Sequence, residues 1–438
     1  MSDRLSTARE SRPMKLMPWT HPLRRTITVP GDKSITHRAI LFSALAKGPV
    51  TVTQWLDAKD TRSSLRVVRA LGVEVTETPG KLVLRGPQSL AEPKDVVDCG
   101  NSGTTMRLSM GLLSALPEGL AVLTGDASLR QRPMGRVAGP LSQIGVDVFT
   151  RSNGNAPVVV RGGLRHVGGQ VTMSVASAQV KSALLLAGLS AHTPVTVVEP
   201  ITTRDHTERM LRAMGASLRT EGNHITVTPG DLQGISINVP GDPSSAAFWA
   251  ALAVLVPGSR LEIQDVLLNP SRIGFYRMLE QMGAKIRFDG HSERLEPVGN
   301  IVIESSELHG VEVGAHHIPD MVDEIPLVAL LATMARGSTR ITGAEELRGK
   351  ESDRIHATMT GLVKMGATIE ELPDGFVIKG GDRLKGAEVE AFDDHRIAMM
   401  LTVASTVADG PTWLSGAESI GISYPEFMTQ IHESGTLG

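Results

Sequence analysis

Apolar residues along this chain gather into six runs of helical length, each opened by a small or polar turn and followed by a β-branched stretch. The first three read GDKSITHRAILFSALAKGPVTVTQ, GNSGTTMRLSMGLLSALPEGLAVLTG and SAQVKSALLLAGLSAHTPVTVVE. The last three read GDPSSAAFWAALAVLVPGSRLEIQ, DMVDEIPLVALLATMARGSTRITG and DDHRIAMMLTVASTVADGPTWLSG. After five of them the pattern predicts a second helix that ends in an apolar–Gly step and leads into a hairpin: Leu71-Gly72, Ile144-Gly145, Met214-Gly215, Met282-Gly283 and Met365-Gly366. A unit of this kind cannot bury its apolar face alone, so neighbouring copies must cover it. The expectation is an α/β protein assembled from six related units.

The helix starts carry Lys, Arg, Ser, Asn or Asp. A helix N-terminus has unpaired N–H groups and the positive end of the helix dipole, and Gly or Ser there lets backbone approach an anion closely. Six such starts could therefore converge on one anionic site.

At 438 residues the chain exceeds the usual limit of a single core, which predicts two domains. The units sort into two sets of three, with Val239-Pro240-Gly241 between the sets and the same tripeptide, Val29-Pro30-Gly31, ahead of the first. Pro and Gly break regular structure, so both points read as chain crossings. The last unit lacks its second helix and hairpin, and the segment before Pro30 is expected to complete it. This gives a discontinuous distal half, 1–30 plus 240–438, and an inserted half, 31–239.

A formal net charge of −3 and only 3% aromatic residues argue against a nucleic-acid-binding protein. The single cysteine, Cys99, excludes an internal disulfide and a thiolate zinc site, and reads as a buried small residue in a reducing compartment. No apolar run reaches membrane-spanning length. The opening segment, MSDRLSTARESRPMKLMPWT, has no apolar core of a secretory signal and reads as a flexible tail.

Local charge clusters carry the candidate chemistry. PGDKSITHR offers Lys33, Ser34 and Arg38; the plainer reading makes Ser34 a helix cap. DCGNSGTTMR frees backbone amides around Gly100, Asn101 and Gly103, with Arg107 one turn on. TGDASLRQRPMGR packs Arg130, Arg132 and Arg136 into one turn, where guanidiniums repel unless solvated or holding an anion. SAQVK adds Ser177, Gln179 and Lys181, and TTRDHTER adds Arg204. Asp205, His206 and Glu208 there read as capping and surface residues rather than metal ligands. The distal half supplies Asp320, Asp323 and Glu324, then Lys350, Glu351, Asp353 and Arg354, then Asp393, Asp394, His395 and Arg396. Carboxylates interleaved with cations tune one another's pKa and serve in proton transfer.

In order, PGDKSITHRA, GNSGTTMR, RQRPMG, SAQVKSALLLAGL, PDMVDEIP, KESDRI and DDHRIAMM resemble the signature segments of the 5-enolpyruvylshikimate-3-phosphate synthase family, in the form often termed class II, from about Pro30 to Glu426. The resemblance implies two inverse αβ domains, each of three βαβαββ units. It also implies transfer of the enolpyruvyl group of phosphoenolpyruvate to the 5-hydroxyl of shikimate 3-phosphate, in aromatic amino-acid biosynthesis, without metal or organic cofactor. A cytoplasmic monomer, inhibition by glyphosate, and no nucleic-acid or membrane partner are further expectations.

Matched motif by motif, the resemblance assigns Lys33, Ser34, Arg38, Ser177, Ala178, Gln179, Arg204, Asp323 and Lys350 to shikimate 3-phosphate. Ala178 stands where some members carry a second Ser. It assigns Lys33, Gly103, Arg132, Gln179, Arg354, His395 and Arg396 to phosphoenolpyruvate, and Lys33, Asp323 and Glu351 to proton transfer. One departure is Ile422, where many members place a Lys two residues before an aromatic–Pro pair. The alternative, UDP-N-acetylglucosamine enolpyruvyl transferase, carries a reactive Cys in the loop where this chain has Ala127 and Ser128.

Overall fold

The computed structural model describes residues 12–163, 166–292, 295–381 and 383–436. Its repeating unit is clear in the second copy. Edge strand Val97–Asp98 leads to helix Gly103–Leu112, strand Leu120–Thr124, helix Gly135–Gln143, and the hairpin Asp147–Phe149 with Val158–Arg161. The edge strand runs parallel to Leu120–Thr124, and the other pairings are antiparallel. Five four-stranded sheets repeat this arrangement.

Two kinds of helix follow from two kinds of pattern. The first helix of each unit is apolar nearly all round, and Pro243–Leu255 is buried from Pro243 to Val254, as a helix without a polar face must be. The second is amphipathic; Lys59–Ala70 buries Leu65, Val67 and Val68 and exposes Lys59, Arg66 and Arg69. Each second helix stops at a glycine in the left-handed region, with φ of +94°, +87°, +88°, +97° and +94° at Gly72, Gly145, Gly215, Gly283 and Gly366. That conformation satisfies the last carbonyls of a helix and favours a residue without Cβ.

The buried apolar side chains form two clusters. One is drawn from residues 35–239 with Leu267, the other from Leu16, Leu23 and residues 246–431. In the first, Gly103–Leu112 packs between Lys33–Phe42 and Ala178–Gly188; in the second, Pro243–Leu255, Ile325–Met334 and His395–Thr406 pack on one another.

Strand Arg24–Thr28 pairs with Arg260–Leu267 of the distal half, and strand Ser236–Asn238 pairs with Pro49–Thr53 of the inserted half. The two VPGD segments then meet reciprocally. Asp32 N donates to Pro240 O at 2.7 Å and Asp242 N to Pro30 O at 2.8 Å. Arg272 joins them, reaching Asp32 at 2.7 Å and Asp242 at 3.1 Å.

The opening segment departs from the flexible tail expected of it. Residues 1–11 lie outside the described residues, but strand Met14–Leu16 pairs antiparallel with Leu414 to Thr412. The sixth unit has no hairpin of its own, so the chain start fills the open edge of its three-stranded sheet.

Candidate active site

Five of the six helix starts are fixed by side-chain caps, and that of Ile325–Met334 has none. Asp32 Oδ1 accepts from Ile35 N at 2.8 Å, Ser102 Oγ from Thr105 N at 3.2 Å, and Asp394 Oδ1 from Arg396 N at 2.9 Å. The first cap is thus Asp32 and not Ser34: the helix begins two residues earlier than a Ser34 cap would allow, and leaves that hydroxyl at the cavity. Residues at or beside all six starts line one cavity of about 170 Å³ between the halves.

Nine cations face this cavity, Lys33, Arg107, Arg132, Arg136, Arg204, Arg272, Lys350, Arg354 and Arg396, against five carboxylates, Asp60, Asp242, Asp323, Glu346 and Glu351. In a protein of net charge −3, such a local excess is a site for anions. The inserted half supplies Lys33, whose Nζ is 2.5 Å from Asp60 Oδ2. It also supplies Arg132, held by Asn101 Oδ1 at 2.5 Å and Ser128 Oγ at 3.2 Å. Gln179 bridges Thr104 Oγ1 at 2.9 Å and Arg107 Nη1 at 2.7 Å.

The distal half answers with a carboxylate–guanidinium lattice. Arg354 reaches Asp394 at 2.8 Å, Glu351 at 2.6 Å and Asp323 at 3.3 Å. Asp323 in turn meets Arg204 of the inserted half at 3.1 Å and Arg396 at 3.8 Å. Burial would raise the Asp323 carboxyl, but Arg396, Arg204, Lys350 and Arg354 together hold it well below the usual range. Glu351 is likewise held low, against its burial, by Arg354, Arg132 and Lys33. Both are ionised at neutral pH. His395 is buried with neither ring nitrogen bonded, and burial keeps it neutral.

Every residue that the resemblance assigned to a substrate or to proton transfer lines the cavity except Arg38. Arg38 is buried behind the first helix start, donating to Thr207 Oγ1, Ser34 O and Ser182 Oγ at 2.7, 3.0 and 2.9 Å. Arg130 is exposed and Asp393 lines a different cleft. Arg136 lies in helix Gly135–Gln143, not in the turn with Arg132. Ile422 lines that second cleft, so the missing C-terminal cation leaves no side chain in the cavity. Asp60, Thr104, Asp242, Arg272 and Glu346 went unforeseen. The repeated VPGD could have marked Asp242 as the twin of Asp32; the others carry no local signal.

His206 and Glu208 are buried rather than surface residues. Glu208 pairs with Lys181 at 2.6 Å. His206 Nδ1 lies 2.7 Å from Glu296 Oε1 of the distal half. Asp205, His206 and Glu296 bring their polar atoms within 4.8 Å of one another. Asn269 already donates to both carboxylates, at 2.7 and 2.8 Å, and Arg209 and Arg272 flank the group. Those guanidiniums oppose a cation, so the cluster is a tie between the halves. Cys99 is buried, which pushes its thiol up to about 12, and Ser128 occupies the loop beside Arg132.

Residues 19–431 match the family described as EPSP synthase (3-phosphoshikimate 1-carboxyvinyltransferase). A 3-phosphoshikimate 1-carboxyvinyltransferase of Herpetosiphon aurantiacus is 47% identical over 413 residues, covering 92% of this chain and 95% of that one. One of Prochlorococcus marinus is 46% identical over 435 residues, covering 97% and 98%. A solved EPSP synthase from Acinetobacter baumannii superposes with a TM-score of 0.86 at 39% identity, covering 97% of this chain and 98% of that one. Its fold is therefore the two-domain enolpyruvyl transferase fold, and the chain belongs to the EPSP synthase (3-phosphoshikimate 1-carboxyvinyltransferase) family.

Proposed function

We propose that this cavity transfers the enolpyruvyl group of phosphoenolpyruvate to the 5-hydroxyl of shikimate 3-phosphate, releasing phosphate. The observation that carries this reading is the surplus of four cations over carboxylates around one cavity. Each substrate brings a phosphate and a carboxylate, and holding four anionic groups together needs that surplus. Ser177, Ala178, Gln179 and Arg204 take the shikimate 3-phosphate side with Ser34, backed by Arg38. Arg354 and Arg396 grip the carboxylate of phosphoenolpyruvate, and Lys33, Arg132 and Gln179 its phosphate, with Gly103 and His395 closing the pocket.

Protonation of the methylene carbon builds positive charge at C2, which the 5-hydroxyl oxygen attacks to give a tetrahedral phosphate ketal. Loss of phosphate and of a methyl proton then restores the double bond. Asp323, held ionised, is suited to accept the hydroxyl proton beside Lys350. Lys33 is the cationic acid, and Glu351 the second ionised carboxylate. A positioned acid or base contributes roughly 10²–10⁴-fold.

The division into 1–30 plus 240–438 and 31–239 is supported by the two separate apolar clusters. A monomer working in the cytoplasm, with glyphosate as inhibitor, completes the reading. No helix among the described residues is long and apolar enough to cross a membrane. Phosphate release is the test, in chelator-treated buffer, with phosphoenolpyruvate and either shikimate 3-phosphate or UDP-N-acetylglucosamine. Release with shikimate 3-phosphate alone is expected; release with the nucleotide sugar alone overturns the assignment.

A further inference from the structure

Three guanidiniums, Arg107, Arg132 and Arg136, crowd one wall of the cavity, and the Nε of each is buried without a hydrogen-bond partner. Their neighbours do not account for all of them equally. Arg107 donates to Gln179 Oε1 at 2.7 Å and Pro133 O at 3.4 Å, and Arg132 to Asn101 and Ser128. Among the described residues, Arg136 has only the Glu346 carboxylate of the distal half, at 3.8 Å, which is beyond hydrogen-bond reach. Glu346 is itself shared with Lys350 at 3.1 Å. A buried donor left unmade is costly, and three like charges in contact raise the cost. Burial, then Arg136 and Arg132, bring the Arg107 guanidinium down to about 9. Against its burial, Lys350 and Arg136 hold Glu346 below its ordinary range, so the carboxylate paired with Arg136 is a distant, charged side chain from across the cleft.

We propose that Arg136 is a substrate-binding residue of this chain, a further guanidinium beside Arg132 for the phosphate group of phosphoenolpyruvate, with Glu346 as the resting counter-ion that the phosphate displaces. The inference deepens the functional reading above and rests on it for the identity of the phosphate donor. It also accounts for the wall lacking a C-terminal cation: Ile422 faces the other cleft, while Arg136 enters the cavity from a helix that begins at Gly135. A planar guanidinium with free donors suits a phosphate better than a carboxylate 3.8 Å away.

The two partners predict opposite effects, which a merely structural ion pair would not. Arg136→Gln is expected to raise KM for phosphoenolpyruvate about tenfold or more while kcat changes far less, with Arg136→Lys recovering part of the loss. Glu346→Gln removes a competitor and is expected to leave that KM unchanged or lower it. Binding of inorganic phosphate to the protein without substrates, followed by calorimetry, should weaken about tenfold in Arg136→Gln and hold or tighten in Glu346→Gln. An Arg136→Gln protein with unchanged melting temperature, unchanged KM and unchanged phosphate affinity overturns the inference, as does a parallel rise of KM in both variants. If the unaltered protein does not turn over shikimate 3-phosphate with phosphoenolpyruvate, the functional reading fails, and the phosphate titration alone then decides whether Arg136 holds a phosphate.

Discussion

A methyl group added at Gly103 would lie 3.0 Å from Nη1 of Arg107 and 3.4 Å from Nη1 of Arg132. Both contacts are with the ends of long side chains, which can yield by a few tenths of an ångström, so the fold should tolerate Gly103→Ala. The anion pocket should not: displacing the guanidiniums weakens every ligand that uses them. KM for phosphoenolpyruvate and the glyphosate inhibition constant are both expected to rise, about tenfold for the inhibitor, at an unchanged melting temperature. Unchanged inhibition in that variant would contradict the placement of the phosphate group. A second effect at this scale concerns pH. His37 is buried, and burial with Lys33 and Arg38 keeps its pKa well below the ordinary histidine value. The unfolded chain therefore binds a proton below about pH 6.5 that the folded protein refuses, and stability falls as pH drops from there. Each such histidine contributes a slope of at most about 1.4 kcal/mol per pH unit. His37→Gln, which can keep the bond to Ser64 Oγ now made at 2.8 Å by Nδ1, should flatten the fall of melting temperature between pH 6.5 and 5; an unaltered slope would show that His37 is not held neutral.

The elements were the most legible part of this chain, because each unit writes its own punctuation. A cap precedes an apolar helix, a glycine stops the amphipathic one, and five copies agree. Where the sequence misled, the cause was tertiary. Met14–Leu16 is too short to show a period, and becomes a strand only because Thr412–Ser415 offers an edge. Site residues at helix starts were readable from local motifs, whereas Asp60 and Glu346 act through partners 27 residues and a whole half away. Arg38 is less legible for a related reason: its motif marks the helix start, while each of its three guanidinium nitrogens donates to a protein partner, Thr207, Ser34 or Ser182. Helix packing yields a further prediction. A Cβ at Gly111 would come within 2.0 Å of Ala183 O on the neighbouring helix, and backbone cannot move aside as a side-chain end can. Gly111→Ala should push Gly103–Leu112 and Ala178–Gly188 apart, costing about 1–3 kcal/mol or more by overpacking. Because both helices carry cavity residues at their starts, activity should fall along with stability. A variant as stable and active as the parent in chemical denaturation and phosphate release would refute this packing.

Across the whole molecule the positive surplus at the cavity lies on one half, the inserted one. The inserted wall carries five cations against Asp60, the distal wall four cations against four carboxylates, and three ion pairs bridge the cavity: Arg204 with Asp323 at 3.1 Å, Arg132 with Glu351 at 3.6 Å and Arg136 with Glu346 at 3.8 Å. Behind the cavity the VPGD crossings and Arg272 form a compact, fully bonded joint. A strong joint with weakly bridged lips is the arrangement in which the halves part about the joint until anions drawn by the inserted half's surplus are gripped by the distal cations as well. Shikimate 3-phosphate with glyphosate should therefore reduce the radius of gyration in small-angle scattering. Added salt should reduce the affinity for both ligands, because the surplus charge that draws them is screened over about 8–10 Å. Asp323→Asn, which removes the carboxylate shared by Arg204, Arg354 and Arg396, should leave the unliganded protein more open than the parent. An unliganded radius equal to the liganded one, in both proteins, would mean that the joint rather than the cavity charge sets the distance between the halves.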